Sequence, residues 1–191
     1  MIKIGILGDI GSGKSYVARN FGYPVFNADH EVSKLYKKDK KTFYKLKRKL
    51  PKYIYSFPIN KNQVSKAIIV NKSNLKKIIK VVHQEIKKKL KLFIKKNKEK
   101  KFIILDIPLF LENKINSKKD ILVFIEANKK KINKRLKKRK NFNKNIYNKL
   151  RSLQLPLEFK KKKSHFIIKN NFNNSLKKDV KYVLKKILNN E

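Results

Sequence analysis

The stretch Gly8-Asp9-Ile10-Gly11-Ser12-Gly13-Lys14-Ser15 concentrates the most chemistry in this 191-residue chain. It fits the spacing G-x-x-x-x-G-K-[ST], in which glycines let successive backbone N–H groups converge on phosphate oxygens. A helix starting at its end adds favourable partial charge for an anion. Lys14 is spaced to bridge β- and γ-phosphates, and the Ser15 hydroxyl to ligate Mg²⁺. The alternative is a glycine-rich turn without a ligand. A loop of this type names the phosphoryl donor, ATP or GTP, and leaves the acceptor open.

Other residues could complete such chemistry. Asp29 follows a short apolar stretch, where a carboxylate serves either as a helix N-cap or as an orienting base for a hydroxyl. Asp106 ends the apolar run Phe102–Leu105, as a strand-end cap or as a holder of the Mg²⁺ water shell. Arg135 and Arg139 are four apart on a predicted helix and so share a face. They are either solvated cations or groups that neutralise phosphate charge. His83 lies in a helical stretch, where a buried, hydrogen-bonded histidine is one reading. Three histidines and no cysteine exclude a thiolate site and leave a zinc site unsupported.

The elements that must position these groups alternate in type. Ile2–Leu7 predicts a buried strand, Lys14–Phe21 a helix and Pro24–Phe26 a second strand. Helical stretches follow over Glu31–Leu50 and, after a Pro-broken segment, Gln63–Lys96. In the latter, Ile78, Ile79, Val82, Ile86, Leu90 and Phe93 recur at helical spacing. Strands are expected at Phe102–Leu105, Ile121–Ile125 and Phe166–Ile168, and helices at Lys129–Lys138, Ile146–Leu155 and Ser175–Leu188. Asn141–Asn145 reads as a polar, mobile connection. Lysine tracts such as Lys160–Lys163 read as solvated face or loop. Strands alternating with helices predict a mostly parallel α/β sheet.

Composition sets the outer bounds. The 53 Lys+Arg against 13 Asp+Glu give a net charge of +40, yet only five of the cations are Arg. Lys, Ile and Asn together supply 92 residues, while Ala occurs four times. These three residue types share A/T-rich codons, so the charge reads as codon bias. A groove built to read bases or phosphates calls for more of the planar, bidentate Arg fork. No apolar run reaches the roughly 18–20 residues of a membrane span, and the first residues carry no signal-peptide pattern. A cytoplasmic protein with no membrane and no specific nucleic-acid partner is expected, as a monomer or weak homo-oligomer.

The segments GILGDIGSGKS, PVFNADHEVSKLY, VVHQEI, LDIPLFLEN and HFIIKNN occur in an order and spacing that resembles the dephospho-CoA kinase family, over about residues 2–188. The resemblance implies transfer of the γ-phosphoryl group of ATP to the ribose 3′-hydroxyl of dephospho-CoA, giving coenzyme A. It implies an α/β P-loop kinase fold in a single domain, with a five-stranded parallel sheet flanked by helices. The core would span 1–30, 100–135 and 164–191, with a helical acceptor-binding insertion over about 31–96 and a lid over about 136–160. Substrates would be ATP and dephospho-CoA, with Mg²⁺.

Its implied roles fall on particular residues. Gly8, Gly11, Ser12, Gly13, Lys14, Ser15, Tyr16, Arg135 and Asn170 would hold nucleotide. Asp29 matches the second acid of an Asp-Ala-Asp motif and would act with Lys14 and the lid residue Arg139 in catalysis. Asp29, His83, Asp106, Pro108, Leu109 and Glu112 would bind the acceptor, and Ser15 and Asp106 the metal. Gln154 falls in the helix leaving the lid. The chain departs from the family pattern at Asp9, Asn27, Lys61, Gln84 and Lys140. Two other readings fit the phosphate loop alone: another small-molecule kinase of nucleotide or shikimate type, and a basic nucleic-acid-stimulated ATPase.

Overall fold

The computed structural model describes residues 1–139, 142–172 and 176–189. Five strands, β1 (Ile2–Gly8), β2 (Val25–Asn27), β3 (Phe102–Asp106), β4 (Ile121–Glu126) and β5 (Phe166–Lys169), pair in parallel in the order β2-β3-β1-β4-β5. Every residue of β3 is buried. Parallel strands covered on both faces read as continuous apolar runs, which explains Phe-Ile-Ile-Leu and Ile-Leu-Val-Phe-Ile. Helices α1 (Lys14–Asn20) and α9 (Leu176–Asn189) contribute to this core. Leu176, Val180, Val183 and Ile187 of α9, at spacings of three and four, share one buried face with Val17 and Ala18.

The chain divides into two compact units. One comprises 1–27, 97–142 and 153–191 and contains the sheet; the other comprises 28–96 and 143–152 and is helical. The segment 136–160 is therefore shared, with 143–152 grouping with the helices.

The helical unit contains α2 (Ala28–Lys38), α3 (Lys40–Lys49), α4 (Lys61–Val70), α5 (Lys72–Lys96) and α7 (Lys144–Arg151). Both long helical stretches expected from periodicity are split by a polar side chain. Asp39 caps α3 by accepting from the Thr42 N–H at 3.0 Å, and Asn71 accepts from Asn74 N–H at 2.8 Å between α4 and α5. Short polar side chains compete for backbone donors in this way, and hydrophobic periodicity does not register it. Along α5, Leu75, Ile78, Val81, Val82, Ile86 and Leu90 are buried, while Ile79 and Phe93 are half-buried. Lys149 of α7 donates to the Ile68 and Ile69 carbonyls at 2.9 and 2.6 Å, satisfying the C-terminal end of α4.

Three other local expectations are corrected. Within the polar connection 141–145, Asn143 is an N-cap, accepting from Ile146 N–H at 3.0 Å, and α7 starts at Lys144; residue 141 lies outside the described residues, as does Ser175. The helix expected to reach Leu155 stops at Arg151, so Gln154 is not helical. After Pro156 a separate short helix forms, α8 (Leu157–Lys162), where the lysine tract had read as solvated; Lys160 is buried there, 3% exposed. Helix α6 (Lys129–Lys137) completes the sheet unit.

Candidate active site

The phosphate loop joins β1 to α1 and is held in shape by its own backbone and by one distant side chain. Gly13, at the N-cap of α1, has φ 89°, a left-handed conformation that a residue with Cβ rarely adopts. A Cβ there would also collide with the Asn170 side-chain amide. That amide donates to the Ser12 carbonyl at 2.8 Å, and the Asn170 carbonyl oxygen accepts from Phe172 N–H at 2.8 Å. Asn170 is 1% exposed and sits just past β5. Its place in the structure is therefore behind the loop, fixing the backbone that presents donors to phosphate. Ser12 is fully buried, and its hydroxyl has no hydrogen-bond partner among the described residues.

Lys14 curls back over the loop, donating to the Asp9 carbonyl at 2.7 Å and the Gly8 carbonyl at 3.2 Å. Asp9, the acid that departs from the family pattern, is buried and accepts from the N–H of Ile10 at 2.7 Å. This backbone bond stabilises the carboxylate inside the loop.

The ends of β2 and β3 meet the loop. Register pairs Asn27 with Asp106. The Asn27 side-chain amide donates to Asp106 Oδ2 at 2.5 Å and lies 3.4 Å from Ser15 Oγ. Ser15, Asn27 and Asp106 thus form one polar cluster from three elements. Asp106 is 4% exposed, and its carboxylate accepts from this neutral amide. The role of Asn27 escaped the sequence reading, which saw only a missing acid; its signal was its position at the end of a strand adjacent to β3.

Of the arginines, Arg135 lies in α6 with its guanidinium 4.3 Å from the centre of the Phe172 ring. This stacking ties α6 to the segment beyond Asn170. Arg139 does not share a helical face with it: α6 ends at Lys137, and Arg139 sits in the turn after it, donating its N–H to the Leu136 carbonyl at 3.1 Å. Tyr16, in the first turn of α1, is exposed.

The loop after β3 holds the expected acceptor-side residues Pro108, Leu109 and Glu112. Leu109 has φ 56°, and its carbonyl accepts from the Asn113 N–H at 3.0 Å and side-chain amide at 2.8 Å. Glu112 Oε1 accepts from Leu155 N–H at 3.0 Å and pairs with Lys160 Nζ at 2.9 Å. Lys160 also donates to Gln154 Oε1 at 3.3 Å. The buried lysine was invisible in its tract because its neighbours in sequence are true surface lysines.

In the helical unit, Asp29 is exposed and lies inside the first turn of α2 rather than at its cap. Acidic residues there are favoured by the helix dipole. His83 of α5 is half-buried, and burial followed by the charge of Lys87 holds its imidazole below the usual value of 6.5. It is accordingly neutral at pH 7. No group of three or more potential metal-ligating His, Cys, Asp or Glu residues exists among the described residues.

The family model for Dephospho-CoA kinase matches residues 2–176. The chain belongs to the dephospho-CoA kinase family. The "Dephospho-CoA kinase" of Wolbachia pipientis wMel is 36% identical over 170 residues, 86% of this chain and 87% of that one. That of Bartonella henselae is 31% identical over 193 residues, 98% of each chain. Among solved structures, TT1252 from Thermus thermophilus superposes with a TM-score of 0.73 at 25% identity, covering 99% of this chain and 97% of the other. A dephospho-CoA kinase from Campylobacter jejuni (TM-score 0.63, 21% identity, 97% and 96% covered) shares the fold. The family and the sheet topology make this chain a phosphotransferase built on the P-loop kinase fold. No helix among the described residues is long and apolar enough to cross a membrane.

Proposed function

We propose that the chain transfers the γ-phosphoryl group of ATP to the ribose 3′-hydroxyl of dephospho-CoA, releasing ADP and coenzyme A. Family membership supports the acceptor. The observation that carries the chemistry is the cluster of Ser15, Asn27 and Asp106 beside a phosphate loop fixed by Asn170. In the transfer, the bond from the γ-phosphorus to the β,γ-bridging oxygen breaks as a bond to the 3′-oxygen forms. The hydroxyl proton passes to Asp29.

Such a transition state is loose, so positioning and charge stabilisation contribute more than base strength. Lys14 meets the β- and γ-phosphates once it releases the carbonyls of Gly8 and Asp9. Arg139, and Arg135 on its Phe172 platform, carry the delocalised charge that suits equatorial phosphoryl oxygens. Pro108 and Leu109 line the acceptor side, with His83 as a neutral hydrogen-bonding group.

Mg²⁺ fits this donor set. It takes one or two protein oxygens and fills its octahedron with water and phosphate. The Ser15 hydroxyl and the buried Asp106 carboxylate are such oxygens. The bound cation would offset phosphate charge there.

The test is ADP release from Mg·ATP with dephospho-CoA, shikimate, nucleoside monophosphates or single-stranded RNA. ADP formed only with dephospho-CoA, one for one with coenzyme A, is expected. ADP release indifferent to dephospho-CoA, or stimulated by another acceptor or by RNA, overturns the reading.

A further inference from the structure

Glu112 and Lys160 lie 48 positions apart in sequence, and their side chains are 9% and 4% exposed. Burying two charges is costly, and an ion pair kept from water is weak evidence for stability alone. This one does more than pair. A single oxygen, Glu112 Oε1, takes both the Lys160 ammonium and the Leu155 N–H, and the same ammonium reaches Gln154. Two points of the segment 154–160, Leu155 and Lys160, are thus held on one carboxylate of the loop following Asp106, and a third, Gln154, is tied to them through the lysine. That loop is otherwise compact. Phe110 is 1% exposed over the backbone of Gly5, where no Cβ would fit, and Ile115 N–H donates to the Phe110 carbonyl at 3.1 Å. The segment 153–160 is where the chain re-enters the sheet unit after the 143–152 excursion.

We infer that Glu112 and Lys160 are positioning residues that lock the loop 107–115 and the returning segment 153–162 into one mechanical piece. Asp106 and the acceptor-side residues Pro108 and Leu109 thereby keep a fixed relation to the base of the segment expected to act as a lid. The carboxylate of Glu112 is engaged by the protein itself, so its contribution to acceptor binding is indirect. This rests on the proposed reaction only for its kinetic consequence.

Hydrogen exchange read by mass spectrometry tests it on the full chain. Glu112→Gln keeps the shape and removes the charge; Lys160→Met removes the other end. Each substitution is expected to speed exchange in both 107–115 and 153–162 by about tenfold or more, as one opening unit, leaving 2–8 unchanged. Loosening confined to the substituted segment, or none, overturns the inference. In wild type, which avoids any folding defect, exchange in rising urea should give both segments the same opening free energy; different values overturn it. The kinetic readout is a dephospho-CoA KM raised about fivefold or more with the ATP KM unchanged, and restored in Lys160→Arg. A well-folded Glu112→Gln variant with an unchanged acceptor KM contradicts positioning. Wild type that forms no coenzyme A would remove the proposed reaction, while the exchange result still decides the pair.

Discussion

In the sheet unit the buried polar residues include three carboxylates, Asp9, Asp106 and Asp120, together with Ser12, Lys160 and Asn170. In the helical unit they are Thr42, Gln63 and Asn74, all neutral. The helical unit keeps its acids at half-exposed or exposed positions; Glu31 pairs with Lys34 and Lys89, and Glu85 with Lys45 and Lys88. Buried charge requires a specific donor: Asp9 has the Ile10 N–H, Asp106 the Asn27 amide, and Asp120 the Lys3 ammonium at 3.1 Å and Ser117 N–H. The sheet unit thus spends its order on fixing charged groups, and the helical unit on apolar packing with solvated lysines outside. Substitutions at the buried polar groups of the first should damage turnover more than folding, and those at the apolar packing positions of the second the reverse.

The largest effect is expected from Gly13→Ala. The left-handed φ and the clash with the Asn170 amide displace the loop, and a misplacement near 1 Å costs roughly 100-fold in rate. Steady-state coenzyme A formation with circular dichroism on the same sample checks this; near-normal activity would break the comparison. Next comes Asn170→Ala, which orphans the Ser12 carbonyl and the Phe172 N–H. It should raise the ATP KM and cost about 1–3 kcal/mol of stability. In the helical unit, Leu90→Ala should cost about 2–5 kcal/mol by denaturant titration, with kcat almost unchanged at a temperature where it is folded.

The smallest effect belongs to Glu85. Its carboxyl is held below the usual 4.5 by the Lys45 hydrogen bond, against burial, with further help from the charges of Lys45 and Lys88. A lowered folded value means the contribution is complete above 4.5 and disappears as pH falls through the lower, folded value. Glu85→Gln should therefore lose roughly 0.5 kcal/mol at pH 7. That deficit should shrink as pH falls below 4.5, as thermal unfolding at both pH values would show.

The legibility of the sequence follows the same division. The glycines, Lys14 and Ser15 of the loop were readable because phosphate binding restricts backbone and side chain together, and β3 and β4 because burial on both faces leaves unbroken apolar runs. Helix boundaries at Asp39, Asn71 and Asn143 were not, since capping is a local hydrogen-bond choice that an Asp or Asn in a lysine-rich helix does not announce. Lys160 was hidden by its tract, and its partner Glu112 by a separation of 48 positions. Asn27 read as a loss of charge, and only strand register showed that it bridges Ser15 and Asp106.

The most direct test of the account compares wild type with Asp29→Asn in two readings, coenzyme A formed in a single turnover and ATP affinity by calorimetry. If Asp29 addresses the acceptor hydroxyl and takes no part in holding ATP, coenzyme A formation falls by roughly 100-fold or more and ATP affinity is unchanged. Coenzyme A formed at the wild-type rate by Asp29→Asn would contradict the assignment.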